Sequence, residues 1–245
     1  MDKVIYTGMS GAQHALNAQK IHANNLANIK TEGFRKDYSH AVANVLPGAG
    51  HPSRIMVETQ GGGSSLAVGT LSRTGRDLDL ALPGPGWFVL MDEEGNEAYT
   101  RAGHFVTDLD GRLVSENGMA VSAVGGGEII LPPYRDVEIG AEGGISIIPV
   151  EGGEPVEVGT LKLVNPTPMG IYKHEDGMFR SLNGLPAAHE DRIRLKSGYL
   201  EDSNVSAVEE MIKIMDLSRQ FEFQLKIMKT ASELAAAGDK LIRES

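Results

Sequence analysis

Ile5-Tyr6-Thr7-Gly8-Met9-Ser10-Gly11-Ala12-Gln13-His14-Ala15-Leu16 continues without a proline to Leu26-Ala27-Asn28. Within it Ile5, Met9, Ala12, Leu16, Gln19, Ala23 and Leu26 step alternately by four and three, the spacing of an apolar stripe along an α-helix with one polar interruption at Gln19. The helix is expected to stop near Asn28, which tolerates the left-handed conformation, because Thr31-Glu32-Gly33 follows as turn chemistry. The far end of the chain repeats the pattern. Ala207, Met211, Ile214, Ser218, Phe221, Leu225, Met228, Ser232 and Ala235 predict a second, longer helix, with Asp202-Ser203-Asn204 as N-cap residues and Glu209-Glu210 placing negative charge on its first turns. About 38 residues of helix at about 1.5 Å each reach roughly 55 Å, more than a globular domain of this size needs, so the second helix is expected to project.

Between the helices the period falls to two and glycine punctuates the chain. Leu78, Leu80 and Leu82 alternate with Asp79 and Ala81, Trp87 to Met91 is a strand, and Phe105-Val106-Thr107 and Leu113-Val114-Ser115 lead into Asp110-Gly111 and Asn117-Gly118 hairpin turns around them. Glu128 to Leu131, Val137 to Ile139, Ile145 to Val150, Val156 to Val164 and Ile193 to Leu195 read as further strands. Gly33 to about Thr70 fits neither period and carries Pro47-Gly48-Ala49-Gly50, Pro52 and Gly61-Gly62-Gly63-Ser64-Ser65, so an extended connector is expected there. The fold class is therefore α+β: paired N- and C-terminal amphipathic helices, coiled-coil-like, flanking an extended connector and a mostly antiparallel all-β domain. The expected boundaries are 1–32 and 200–245 for a discontinuous helical assembly domain, 33–75 for the connector and 76–199 for a β-rich outer domain.

Composition removes most chemistry. A chain of 245 residues with no cysteine has no disulfide, cysteine-ligated zinc, iron–sulfur cluster or thiol nucleophile. A net charge of −10 without a basic patch argues against nucleic acid and anionic membranes as partners. The longest apolar runs fall far short of the ~20 residues of a membrane span, and the opening residues lack the basic and apolar regions of a cleavable secretory signal. Asp108-Leu109-Asp110-Gly111 lacks the alternating ligands and terminal glutamate of a calcium loop and reads as a hairpin turn. The seven histidines form no HxxxH pair, the glycine tracts no phosphate loop, and Ser10 sits on a helix rather than on a nucleophile elbow. No catalytic residue, cofactor or metal is expected, and the chain does not read as an enzyme.

Two apolar stripes that cannot be buried within themselves need partners, which points to assembly with copies or relatives of the chain. Head-to-tail contacts of this kind propagate into a ring or a helical tube. The candidate subunit interface comprises Ile5, Met9, Ala12, Leu16, Ala23, Asn24, Asn25, Leu26 and Asn28 on the first helix and Ala207, Met211, Ile214, Ser218, Phe221, Leu225, Met228 and Ala235 on the second. Alanines and serines at such positions let helices approach closely but leave an isolated pair weak. Asn24, Asn25 and Asn28 are poor helix formers, and either fix register by hydrogen bonding across subunits or mark a fraying end.

Ala23-Asn24-Asn25-Leu26-Ala27-Asn28 with Thr31-Glu32-Gly33-Phe34-Arg35 resembles the N-terminal signature of the flagellar rod and hook axial proteins. Thr74-Gly75-Arg76-Asp77-Leu78-Asp79-Leu80-Ala81-Leu82 with Gly84-Pro85-Gly86-Trp87-Phe88-Val89 is similar to a second family segment, and Tyr99-Thr100-Arg101-Ala102-Gly103-His104-Phe105 with Asp110-Gly111-Arg112-Leu113-Val114 to a third. Gly198-Tyr199-Leu200-Glu201-Asp202-Ser203-Asn204-Val205 through Glu209-Glu210-Met211 matches the C-terminal element, so the resemblance runs from end to end. Met1 to Tyr6 and Ser218 to Gln224 look most like the proximal rod members; a distal rod or hook-type subunit is the alternative within the family, and a soluble oligomeric β-domain binding module the alternative outside it. The resemblance implies export by the flagellar export apparatus without a cleaved signal, a place in the periplasmic rod among other rod subunits and copies of itself, and terminal helices that pair to form an inner tube.

Overall fold

The computed structural model describes residues 2–45, 55–92 and 94–244. The chain divides into two compact units, one of Met1–Asn28, Lys36–Ser65 and Val205–Ser245, the other of Ile29–Arg35 and Leu66–Asn204. It is α+β, and the strand pairings among the described residues are antiparallel.

The first unit holds α1 (Asp2–Ala27), β1 (Asp37–Val45), β2 (Ile55–Ser64) and, at its far end, the C-terminal helix Ala207–Glu244. α1 ends where expected, with the Asn28 N–H donating to the carbonyls of Asn24 and Asn25 at 3.1 and 3.2 Å. The stretch read as a connector carries β1 and β2, paired from Asp37↔Ser64 to Val45↔Ile55; Pro47-Gly48-Ala49-Gly50 and Pro52 lie outside the described residues. Ser10 Oγ donates to the Val57 carbonyl and accepts from its N–H, both at 3.0 Å, and His14 Nδ1 lies 2.7 Å from Thr59 Oγ1. Ser10 of α1 thus meets the backbone of β2 at Val57 as a neighbouring strand would, and His14 adds a side-chain contact at Thr59.

The second unit contains β3 (Leu71–Arg73), β4 (Leu80–Ala81), β5 (Trp87–Met91), β6 (Glu97–Thr100), β7 (Phe105–Thr107), β8 (Leu113–Ser115), β9 (Ala120–Val121), β10 (Tyr134–Ile139), β11 (Gly144–Pro149), β12 (Val156–Thr160), β13 (Leu163–Val164), β14 (Ile171–Lys173), β15 (Phe179–Ser181), β16 (Lys196–Ser197) and β17 (Tyr199–Glu201), before α2 (Ala207–Glu244). The main sheet has the order β14-β15-β6-β5-β9-β8-β7 with β13 added beside β5, and smaller sheets join β10-β11-β12, β16-β4 and β17-β3. The unbroken apolar run of β5 has a simple cause, since both of its faces are covered. Phe88 and Leu90 enter the main core with Leu80, Phe105, Leu113, Ile145 and Leu163, while Trp87 and Val89 enter a smaller cluster with Tyr99, Ile171 and Phe179.

The Asp-Gly and Asn-Gly turns form as expected, but as three-residue loops. Gly111 N–H donates to the Asp108 carbonyl at 3.1 Å and Gly118 N–H to the Ser115 carbonyl at 2.9 Å, each glycine having φ near 79°. No non-glycine residue among those described has a positive φ, so the two-residue mirror-image turn is excluded and a type I turn closed by a left-handed glycine takes its place. The turn His174–Met178 repeats the plan. Burial opposes the charge of Asp176, but the Met178 N–H at 2.9 Å and Arg180 Nη1 at 2.7 Å hold its carboxyl below the ordinary 3.8. A lowered pKa supplies stability above the unfolded value and loses it as pH falls through the folded one. Asp176→Ala is therefore expected to cost about 1 kcal/mol at neutral pH, about 2–4 °C in thermal melts, with the gap to the parent closing below about pH 3.8.

Four expectations are corrected. Leu78 to Leu82 do not alternate in burial, since all five are buried, and the Asp79 carboxylate lies 2.9 Å from His104 Nδ1 across an isolated bridge. Glu128 to Leu131 makes only the bridges Ser122↔Glu128 and Arg112↔Ile130. Val156 to Val164 is interrupted between β12 and β13. Ile193 and Leu195 are buried, but pairing starts only at Lys196.

Candidate assembly interface

α1 and α2 lie antiparallel. A Cβ on Gly8 would fall 2.8 Å from Met228 Cγ and one on Gly11 2.9 Å from Gln224 Nε2, while His22 near the other end of α1 meets Glu210 at the start of α2. The shielded positions of α1 are Ile5, Gly8, Ala12, Ala15, Ala18, His22 and Asn25; those of α2 include Glu210, Ile214, Leu217, Phe221, Gln224, Met228, Ala231 and Ala235. Glycine and alanine occupy this seam because they let the two backbones approach closely.

The interface residues read from the sequence fall into two rows. Ile5, Ala12 and Leu26 of α1 and Ala207, Ile214, Ser218, Phe221, Met228 and Ala235 of α2 are buried or half-buried. Met9 is 59% exposed and Leu16 37%, and Ala23 and Asn24 are also exposed; on α2, Met211 is 47% and Leu225 45% exposed. Met9, Leu16 and Ala23 each lie one residue beyond Gly8, Ala15 and His22, and Met211 and Leu225 one beyond Glu210 and Gln224, with the half-buried Ser218 between them one beyond Leu217. One residue turns a helix by about 100°, and in two antiparallel helices that turn leads to the same side of the pair. The second row is thus a single outward face, on the flank of α1 away from Ser10, His14 and the hairpin. A further apolar set, Val208, Ile212 and Met215, points away on α2 with exposures of 63%, 53% and 54%.

Asn25 is fully buried, and its amide serves its own chain. It donates to the Asp37 carbonyl and accepts from the Asp37 N–H, both at 2.9 Å, and reaches Glu210 Oε2 at 3.4 Å. Asn28 donates to the Asn24 carbonyl at 2.9 Å as a helix cap. Glu210, itself fully buried, binds His22 Nδ1 at 2.6 Å through Oε2 and faces Lys36 Nζ at 4.0 Å through Oε1. The cap of α2 is Ser206, whose carbonyl accepts the Glu210 N–H. Asp202 and Asn204, read as caps, serve elsewhere: Asp202 Oδ2 accepts from Thr70 Oγ1 and Asn204 Nδ2 donates to the Ala67 carbonyl.

The sequence reading missed a buried charged set in the second unit. Arg35 Nη2 lies 2.6 Å from Glu201 Oε1, and Arg101 Nη1 donates to Glu201 Oε2 at 3.0 Å; all three residues are at most 3% exposed. Both guanidinium groups rest on Trp87, Arg35 at 5.9 Å and Arg101 at 5.6 Å from the ring centre. Burial brings Arg101 down to about 10 against the pull of Glu201. Each residue comes from a different signature segment, and one buried-capable charge or tryptophan in each of four motifs is the signal that could have found the set. Gly33 completes it: φ is +64° and a Cβ would lie 2.3 Å from the Ala102 nitrogen.

The flagella basal body rod protein model matches residues 5–35, the flagellar hook protein FlgE/F/G D1 domain model 81–147, and the flagellar basal body rod FlgEFG protein C-terminal model 196–241. The chain belongs to the flagellar basal-body rod protein family. It is 33% identical to the flagellar basal-body rod protein FlgF of Escherichia coli and 34% identical to that of Salmonella typhimurium, over the whole of both chains. It is 31% identical to FlgG of Bacillus subtilis, over 96% of this chain and 97% of that one.

Proposed function

We propose that the chain is a structural subunit of the flagellar basal-body rod, of the proximal type, and not an enzyme. The observation that carries this is the outward face of the helix pair: Met9 and Leu16 beside Met211 and Leu225, apolar side chains left in water at heptad spacing on a chain that resembles FlgF from end to end. α1 and α2 pair in coiled-coil fashion, with one amphipathic seam inside the subunit and a second toward neighbouring rod subunits, copies of itself included. Residues 1–32 and 200–245 form the assembly domain, 33–75 the connector and 76–199 the outer domain. Asn25 fixes the helix to the hairpin, and Asn24 is left to neighbours. The subunit leaves the cell through the flagellar export apparatus without a cleaved signal and works in the periplasmic rod. No helix among the described residues is long and apolar enough to cross a membrane.

Similarity to FlgG favours a second reading, a distal rod or hook-type subunit. Quantitative mass spectrometry of purified basal bodies separates them. A small copy number relative to the major distal rod subunit is the expected result. Comparable abundance selects the second reading, and absence from intact basal bodies overturns both.

A further inference from the structure

Glu201 makes bonds to the stretches by which the chain enters and leaves the β unit. Its carbonyl accepts the Gly33 N–H at 2.7 Å, Oε1 accepts the Gly69 N–H at 2.7 Å beside Arg35, and Oε2 takes Arg101. Residues 33–35 belong to the pass between α1 and β1, Gly69 to the pass that follows β2, and Glu201 itself to the pass that leads to α2. Arg101 is held on the sheet side, donating to the carbonyls of Leu82 at 3.0 Å and Gly84 at 2.7 Å. Two buried cations share one carboxylate, and Arg35 Nε and Nη1 find no hydrogen-bond acceptor among the described residues. Without that carboxylate the guanidiniums repel each other in a low-dielectric site, and the less anchored one, Arg35, must leave.

We infer that Glu201 is a positioning residue that clasps these passes as a set, so that the sheet can stay folded while they come free together. The role rests on the rod reading in one respect: in a rod subunit these stretches are the covalent links between the helices and the β unit, along which load can travel. The clasp itself is testable apart from that reading, by hydrogen–deuterium exchange on the purified full-length chain. In E201Q, the amides of Gly33 and Gly69 are expected to exchange together, about tenfold or more faster than in the parent, while those of β5 and β6 keep their protection. In R35Q, which leaves Arg101 and Glu201 as a balanced pair, residues 33–35 are freed and Gly69 stays protected. If E201Q does not fold, R35Q alone decides by the same split. Uniform loss of protection through the unit in R35Q, or no change at Gly33 in either variant, overturns the inference, and neither outcome bears on whether the protein is found in basal bodies.

Discussion

Leu225→Asp is expected to leave the monomer intact and abolish its incorporation. Leu225 is 45% exposed on the outward face of α2, where a carboxylate remains hydrated in the free chain and costs only the modest helix propensity of aspartate, about half a kcal/mol. At an interface it becomes a buried, unpaired charge with a penalty of several kcal/mol per contact. Far-ultraviolet circular dichroism and the melting temperature should match the parent, while the subunit should fall below about a tenth of its normal amount in basal bodies and swimming should stop. Phe221→Asp separates the two rows. Phe221 lies in the half-buried row, so its replacement should loosen α1 from α2 in the monomer as well as block assembly. Wild-type rods and full motility with Leu225→Asp would show that the outward face meets no neighbour.

That contrast also marks where the sequence was legible. The helices and their frame were plain, because four-and-three spacing survives in Ile5, Ala12, Ile214, Phe221 and Met228. Which neighbouring row turns inward was not, since a search for large apolar side chains selects Met9, Leu16, Met211 and Leu225, whereas close helix approach selects Gly8 and Ala15. The inward partners Glu210 and Gln224 are polar: Glu210 meets His22 and Gln224 packs against Gly11, contacts the sequence does not display. β1 escaped notice for a related reason: Ala41 to Val45 are exposed on both faces, so no face is selected for apolar residues. The hairpin glycines were legible because their left-handed backbone is a local requirement. Arg35, Arg101 and Glu201 were not, because charges are surface residues by default and their pairing joins positions far apart in the chain.

Gly103 tests how tightly the β unit is built. A Cβ there would lie 1.7 Å from the Leu80 carbonyl oxygen and 2.7 Å from its carbon, so the obstacle is backbone and no flexible side chain can give way. The Leu80 N–H also donates to the Gly103 carbonyl at 2.9 Å, and Leu80 is fully buried in the main core. Relieving the overlap must therefore part the two segments, break that bond and shift β4 against the sheet. Gly103→Ala is expected to cost more than about 3 kcal/mol, a fall of at least about 6 °C in the unit's melting temperature. Gly84→Ala is the matched control, because a Cβ there meets nothing within 4 Å and its φ lies outside the left-handed range, so a change within about 0.5 kcal/mol is expected. Equal melting temperatures for the two variants would mean that the approach of Gly103 to Leu80 is not a constraint on the fold; the predicted gap would establish that glycine is required there by a backbone contact, independently of any role in assembly.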